Sequence, residues 1–394
     1  MLEQKPAQTP PETTADPHGS RPGARPQDAT VCWFEDAWTP LAEAKVSVMT
    51  HAFLYGTAVF EGIRAYWNAD EEQLYLLKAR EHFERIVDSS RILRMDPHYS
   101  VDEMVDLTIE LLRQNGYRED CYVRATVYKS DEAIGVKLHG LDSKLNLLSL
   151  PFGDYISVDE PISCGTVSWR RTGDLNIPSR AKITGSYVNP AFSKTEAALN
   201  GHEEAIVLTH DGKVSEGSAE NLFMVRKGQF VTPGVTSDIL EGITRTGIIE
   251  IAQRELELET IVRPIDRSEL YVADEVFLCG TGGQISAVAS IDHRTIGGGD
   301  IGPITRRIMD TYFAAVKGQL ETYSDWVIPI YEVSFRGHCR RGTSHGPAMG
   351  GGAIVGFATL PIPNRMQSPW PGEHGRRPHG EWAHPREAVS SPGD

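Results

Sequence analysis

No two cysteines in this 394-residue sequence stand in a C-x-x-C pair, and the five that occur (Cys32, Cys121, Cys164, Cys279 and Cys339) are scattered and odd in number. That excludes a zinc knuckle or a disulfide framework as the organising device and fits reduced thiols in the cytoplasm. No stretch approaches the roughly 20 apolar residues of a membrane span. The opening MLEQKPAQTPPETT lacks the apolar core of a signal peptide. Positive charge is also in deficit, with 39 Lys and Arg against 54 Asp and Glu and a net charge of −15. An acidic surface argues against a nucleic-acid partner, which needs a basic face to displace counterions. It leaves room for one local cationic pocket. The expectation is a cytoplasmic protein with no membrane or nucleic-acid partner and no metal.

What is present reads as a soluble globular chain, 40% hydrophobic and 24% charged, long enough for two domains. Residues 1–28 are rich in Pro, Thr, Ala and Gly and predict a disordered leader. Residues 29–152 predict an N-terminal α+β domain. It opens on a strand from Thr30 to Phe34. Phe83, Ile86, Val87 and Ile92 recur at helical spacing between Lys78 and Met95. Ser100 and Glu103 form a capping box ahead of the run Val101 to Gln114, with Gly116 at the C-cap. Tyr122 to Tyr128 alternates as a strand. A polar, Pro-bounded stretch supplies a linker over 153–160. Residues 161–332 predict a second domain, with strands at 205–209, 221–225, 229–232 and 275–279 and helices at 243–255 and 303–316. Residues 333–394 turn Gly-, Pro-, His- and Arg-rich and predict a disordered tail. Its histidines (His338, His345, His374, His379, His384) are irregularly spaced, so no metal site is expected. Gly297 to Gly302 satisfies G-x-G-x-x-G but has no βαβ unit around it, so it reads as a turn capping the last helix.

The chemistry-bearing segments lie mostly in the second half. Pyridoxal-phosphate chemistry needs a lysine, an anion near the pyridine nitrogen, a donor to the ring hydroxyl and a cradle for the phosphate. Lys182, Glu216, Tyr187 and the turn Gly242-Ile243-Thr244 could supply all four. That turn opens an amphipathic helix, whose free N–H groups and dipole suit a phosphate. A second loop, Gly280 to Gly283, follows a buried strand. Taken residue by residue the bland readings stand alongside. Lys129, Lys137 and Lys194 are equally lysines, with Lys194 on the polar face of a helix. Glu220 lies close to Glu216. Arg85 could pair on its own helix surface, and Arg124 could point outward, on one face with Tyr122 and Thr126.

Seven segments together are more specific: HAFLYGTAVFEGIRAY (51–66), REHFERI (80–86), YVR (122–124), PSRAKITGSY (178–187), SEGSAENLF (215–223), LEGITR (240–245) and ADEVFLCGTGGQI (273–285). Over roughly residues 30–330 the chain resembles the branched-chain aminotransferases of the class IV, fold type IV, pyridoxal-phosphate enzymes. The resemblance implies a two-domain, D-amino-acid aminotransferase-like α+β fold. Its N-terminal α/β domain is the smaller, and its larger C-terminal domain has a β-barrel-like core. It implies transamination of leucine, isoleucine and valine with 2-oxoglutarate, and pyridoxal 5'-phosphate as cofactor. Lys182 would carry that cofactor and shuttle the proton. Tyr187 would bond the ring hydroxyl and Glu216 the ring nitrogen, while Arg85, Ile243, Thr244 and Thr281 would hold the phosphate. Tyr55, Phe60, Tyr122, Arg124, Thr281 and Gly282 would line the substrate side, with Arg124 meeting the second carboxylate of glutamate. A homodimer or higher oligomer is implied, with the loop at Gly135 to Gly140 reaching a neighbour's site. D-amino-acid or (R)-amine transaminases and aminodeoxychorismate lyases are the rivals within the fold, and YGTAVFEGIRAY with YVR tilts away from them. A catalytically silent cofactor binder and a nucleotide-binding module are the rivals outside it.

Overall fold

The computed structural model describes residues 30–332, position 155 apart. The leader expected over 1–28 and the tail over 333–394, with its five histidines, lie outside the described residues. In chain order the first elements are β1 (Val31–Phe34), β2 (Ala37–Pro40), α1 (His51–Tyr55), β3 (Ala58–Asn68), β4 (Gln73–Leu77), α2 (Ala79–Ile92), α3 (Val101–Asn115), β5 (Cys121–Lys129) and β6 (Ser143–Pro151). There follow β7 (Ile162–Arg170), α4 (Val188–Leu199), β8 (Glu204–Leu208), β9 (Val214–Gly217), β10 (Asn221–Arg226), β11 (Gln229–Thr232), α5 (Ile243–Leu256), β12 (Thr260–Val262) and α6 (Arg267–Leu270). The last are β13 (Glu275–Gly280), β14 (Gln284–Ile291), β15 (Arg294–Thr295), α7 (Pro303–Val316) and β16 (Val327–Pro329).

Local signals explain most of these bounds. The Ser100 hydroxyl accepts the Glu103 amide at 3.2 Å, and the Glu103 carboxylate accepts the Ser100 amide at 2.7 Å. This reciprocal cap starts α3, and Gly116 ends it at φ 65°. In β5, Cys121, Val123, Ala125 and Val127 are fully buried. Tyr122, Arg124 and Thr126 share the other, half-buried face, as period-2 alternation requires. That parity aims the tyrosine and the arginine at the same space.

Two sheets result. The first runs β16-β4-β3-β5-β6-β1-β2 with every neighbour antiparallel. Its core joins Ile63, Leu74, Leu76 and Val123 to Phe83, Ile86, Leu111 and Leu112 of the two long helices. The second runs β12-β11-β10-β13-β14-β7-β8-β9, with β15 beside β14. β7 pairs in parallel with both β14 and β8. The sheet curls far enough to bring its end strand β9 beside β10, which gives it a barrel-like core. Phe223 stacks on Phe230 and Phe277 at 4.9 and 5.1 Å on the face of the sheet that packs against α5 and α7.

Residues 161–332 do not all belong with the second sheet, because β16 crosses back to pair with β4, Val327 opposite Leu77 and Pro329 opposite Tyr75. A three-residue strand carries too little periodicity to show where it pairs. The glycine run at 297–302 ends in Gly302, the N-cap of α7. The Glu275 carboxylate accepts the amides of Ile304 and Thr305 at 3.1 and 2.7 Å. An acid sits where a nucleotide phosphate would have to be.

Candidate active site

A cavity of about 590 Å³ gathers side chains from both sheets. Phe60 and Gly62 come from β3, Tyr122 and Arg124 from β5, and Arg85 from α2. Lys182 and Tyr187 lie ahead of α4, Glu216 lies on β9, Ile243 and Thr244 open α5, and Thr281 and Gly282 turn between β13 and β14. Of the site residues named from the sequence, Tyr55 is the one that does not line this cavity.

Lys182 is fixed by its backbone. Its carbonyl accepts the Phe60 amide at 3.0 Å and its amide donates to the Ser89 hydroxyl at 3.2 Å, clasping the segment between β3 and α2. Its ammonium donates to the Tyr187 phenol at 2.5 Å and lies 5.0 Å from the Phe60 ring centroid. The amine is thus held against a phenol and an aromatic face, with no carboxylate among the described residues bonded to it.

Glu216 is 3% exposed. One carboxylate oxygen takes an Arg171 guanidinium nitrogen at 2.7 Å; the other takes the Asn221 side-chain amide at 2.9 Å and the Leu240 backbone amide at 3.0 Å. Burial raises its pKa, against the opposing pull of the Arg171 charge and the Leu240 amide. The geometry decides for the ionised form. All three neighbours donate, so the proton of a neutral acid would find no acceptor among them. Arg171 and Asn221 were not anticipated from the sequence. The signal available was chemical: a buried anion needs a cation.

Arg85 reaches its place through another unforeseen residue. It grips buried Glu61 with Nε and Nη2 at 2.7 and 2.8 Å and donates Nη1 to the Glu241 carbonyl at 2.8 Å. His82 completes the group at 2.7 Å. Burial alone would raise the Glu61 carboxyl. The charge and hydrogen bonds of Arg85 win, holding it well below the usual carboxylate range. Burial holds His82 below its ordinary value, so the neutral ring donates through Nδ1. The surface ion pair weighed for Arg85 is absent, since its partner is a buried strand residue. α5 begins opposite with Gly242 as N-cap and no side-chain cap on its first amides. A Cβ on Gly242 would sit 1.9 Å from the Asn221 side-chain oxygen. Free amides, a helix dipole and an oriented guanidinium suit a phosphate.

On the substrate side, the Arg124 guanidinium lies 4.2 Å from the Phe60 ring centroid and 5.3 Å from that of Tyr122. Among the described residues no carboxylate pairs with it. A Cβ on Gly62 would meet the Tyr122 hydroxyl at 1.9 Å, so glycine is what admits the tyrosine. Fully buried Arg64 donates to the carbonyls of Thr281, Gly282 and Gly153 at 2.9, 3.0 and 2.8 Å, anchoring the Thr281–Gly282 turn to β3. Lys194 is not simply on a solvated helix face: it lines the cavity and bonds buried Glu204 at 2.5 Å. Tyr55 instead accepts the Gly135 amide at 3.0 Å. The loop is also tied to buried His51, whose Nε2 donates to the Gly135 carbonyl at 2.7 Å while Nδ1 meets Thr57 at 2.7 Å.

Residues 58–291 match the amino-transferase class IV family. The chain is 47% identical to a protein of Aquifex aeolicus (strain VF5) named "Probable branched-chain-amino-acid aminotransferase", over 76% of this chain and 96% of that one. Among solved structures it is similar to the branched-chain aminotransferase of Thermoproteus uzoniensis with norvaline: TM-score 0.74, 40% identity, 77% of this chain and 99% of the other. It is also similar to the branched-chain amino acid aminotransferase from Thermobaculum terrenum in PLP-form (holo-form): TM-score 0.74, 36% identity, 78% of this chain and 100% of the other. The chain belongs to the class IV aminotransferase family, among the branched-chain aminotransferases.

Proposed function

We propose that the protein moves the amino group of leucine, isoleucine or valine to 2-oxoglutarate, with pyridoxal 5'-phosphate held in this cavity. The reading is carried by one observation: an amine against a phenol, an anion clamped by three donors, an uncapped helix N-terminus and an arginine without a carboxylate partner among the described residues all open into one space. When bound, the cofactor supplies an aldehyde that takes up the amino group and a ring that accepts the electrons released at the α-carbon.

The chain's own residues do the rest. Lys182 Nζ would hold the cofactor, and its amine is the base placed to take the α-proton and return it. Tyr187 keeps that nitrogen placed through their hydrogen bond. Glu216 holds a proton on the ring nitrogen, and Arg171 and Asn221 hold Glu216. Arg85, set by Glu61, meets the phosphate together with the amides of Ile243 and Thr244 and the hydroxyls of Thr244 and Thr281. The Thr281–Gly282 turn, anchored by Arg64, binds the substrate's α-carboxylate.

Dual specificity follows from the wall made by Phe60, Tyr122 and Arg124. The rings accept an aliphatic side chain, and the guanidinium accepts the second carboxylate of glutamate, which could not be buried unpaired. Arg124→Met is expected to lower kcat/KM for 2-oxoglutarate and glutamate about a hundredfold, while leucine changes only several-fold. Steady-state kinetics on both substrates measure this. An equal loss on both would remove the assignment of Arg124.

We also place the protein in the cytoplasm and infer that it works as a homodimer or larger assembly. No described helix is long and apolar enough to cross a membrane. Phe53 is 66% exposed, and Ile134 and Val136 in the loop beside it are 79% and 81% exposed. Such a patch, fixed by His51 and Tyr55, suits burial against a second copy. Tyr55 then serves the neighbour's cavity rather than its own. Sedimentation should give at least twice the chain mass, and Ile134→Asp should shift it toward monomer. A wild-type monomer at micromolar concentration would end this part of the reading.

A further inference from the structure

Glu61, Glu204 and Glu216 are all deeply buried, and each meets a cation: Arg85 at 2.7 Å, Lys194 at 2.5 Å and Arg171 at 2.7 Å. Glu220 is equally buried, 3% exposed, and among the described residues it forms no ion pair. Its carboxyl accepts one hydrogen bond, from the Ala219 amide to Oε2 at 3.0 Å. Its carbonyl accepts the Gly217 amide at 2.6 Å. Glu220 therefore closes the turn from Gly217 to Glu220 from within, and the Ser218 and Ala219 of that turn line the cavity.

A buried carboxylate with a single amide donor and no counter-ion is a costly state, and protonation relieves it. The groups around it do not supply the missing charge. Glu204 on β8 and Glu216 beside the turn are negative. Lys194 on α4 is bonded to Glu204. Cys164 on β7 and Cys279 on β13 are thiols that burial keeps protonated.

We propose that Glu220 keeps its proton through the neutral range and, as an uncharged acid, is the positioning residue that sets the Gly217–Glu220 turn into the cavity wall, leaving Glu216 as the ionised carboxyl of the pair. The proposal rests on the preceding reading only in giving Glu216 the ring nitrogen. Burial, reinforced by the charge of Glu204 and opposed by Lys194, pushes the Glu220 carboxyl up to about 8. Unfolded, a glutamate titrates near ~4.3. Folding then takes up a proton between the two values. The folded state is favoured most below the unfolded value and loses stability as pH rises toward the folded one.

Urea unfolding of the full-length protein is compared with that of Glu220→Gln, which keeps the acceptor for the Ala219 amide and cannot ionise. Between about pH 5.5 and about pH 7.5 the wild-type unfolding constant should rise about tenfold per pH unit relative to the variant. Infrared difference spectra at neutral pH should show a carboxylic-acid carbonyl band in the wild type that is missing from Glu220→Gln. Should that variant fold poorly, Glu204→Gln serves instead: removing the facing charge should make the band titrate at lower pH. Parallel unfolding profiles, no acid band in the wild type, or a midpoint unmoved by Glu204→Gln would each overturn the proposal. None of these readouts requires turnover, so their failure leaves the role of Lys182 untouched.

Discussion

Lys182→Ala should lose turnover by on the order of ten-thousand-fold, together with the visible band of lysine-bound cofactor. The size follows from two roles carried by one atom. Nζ anchors the cofactor and moves the α-proton, and no other described lysine is placed to take over. Lys129 Nζ donates to the Arg94 carbonyl outside the cavity. Lys194, which does line it, is bonded to the Glu203 carbonyl and to Glu204. The substitution removes one hydrogen bond to Tyr187 and leaves the clasp by Phe60 and Ser89 intact, since that clasp is made by backbone atoms of residue 182. The variant should therefore melt within a few degrees of the wild type. Absorbance spectra, single-turnover kinetics and a melting curve on one preparation test this together. A folded variant that kept either its colour or its turnover would refute the assignment.

Glu216→Gln is the second large effect expected, a fall in kcat of about 10²–10³ with little change in KM. Glutamine keeps the shape and loses the charge that would hold a proton on the ring nitrogen. It also places its amide against the Arg171 guanidinium, the Asn221 side-chain NH2 and the Leu240 N–H, each of which donates to the carboxylate in the native site. One side-chain nitrogen must then face a donor, which adds a structural penalty to the electronic one. A kcat within a few-fold of wild type would mean that Glu216 is a packing residue. The kcat-against-KM split matters because loss of the cavity's shape would weaken substrate binding as well.

Much of this was legible in the sequence because its signals are local. The lysine of PSRAKITGSY, the tyrosine five residues on, the glutamate of SEGSAENLF and the glycine before α5 each sit in a short segment whose turns and caps can be read directly. Strand parity put Arg124 with Tyr122. The partners were not legible. Glu61 and Arg85 are 24 residues apart, on a strand and a helix, and nothing periodic links them. Arg171 reaches Glu216 across the curl of the second sheet, and Arg64 reaches the Thr281 turn from the first sheet. Side chains that orient other side chains leave their mark in three dimensions only. Tyr55 shows the opposite case: its motif was clear, yet its phenol meets the Gly135 amide and does not line this cavity. β16 is invisible for the same reason as Glu61, since its meaning lies in its pairing.

Residues 327–329 are among the last described residues to leave the ribosome, yet they edge a sheet built from residues 31–151. Until they emerge, β4 presents an open row of N–H and C=O groups, and the Gln73 amide lacks its bonds to residues 330 and 331. An edge of that kind is prone to pair with foreign strands. The half translated first therefore keeps an open edge until the end of the described chain arrives, and chaperone protection is expected to be needed longest at β4.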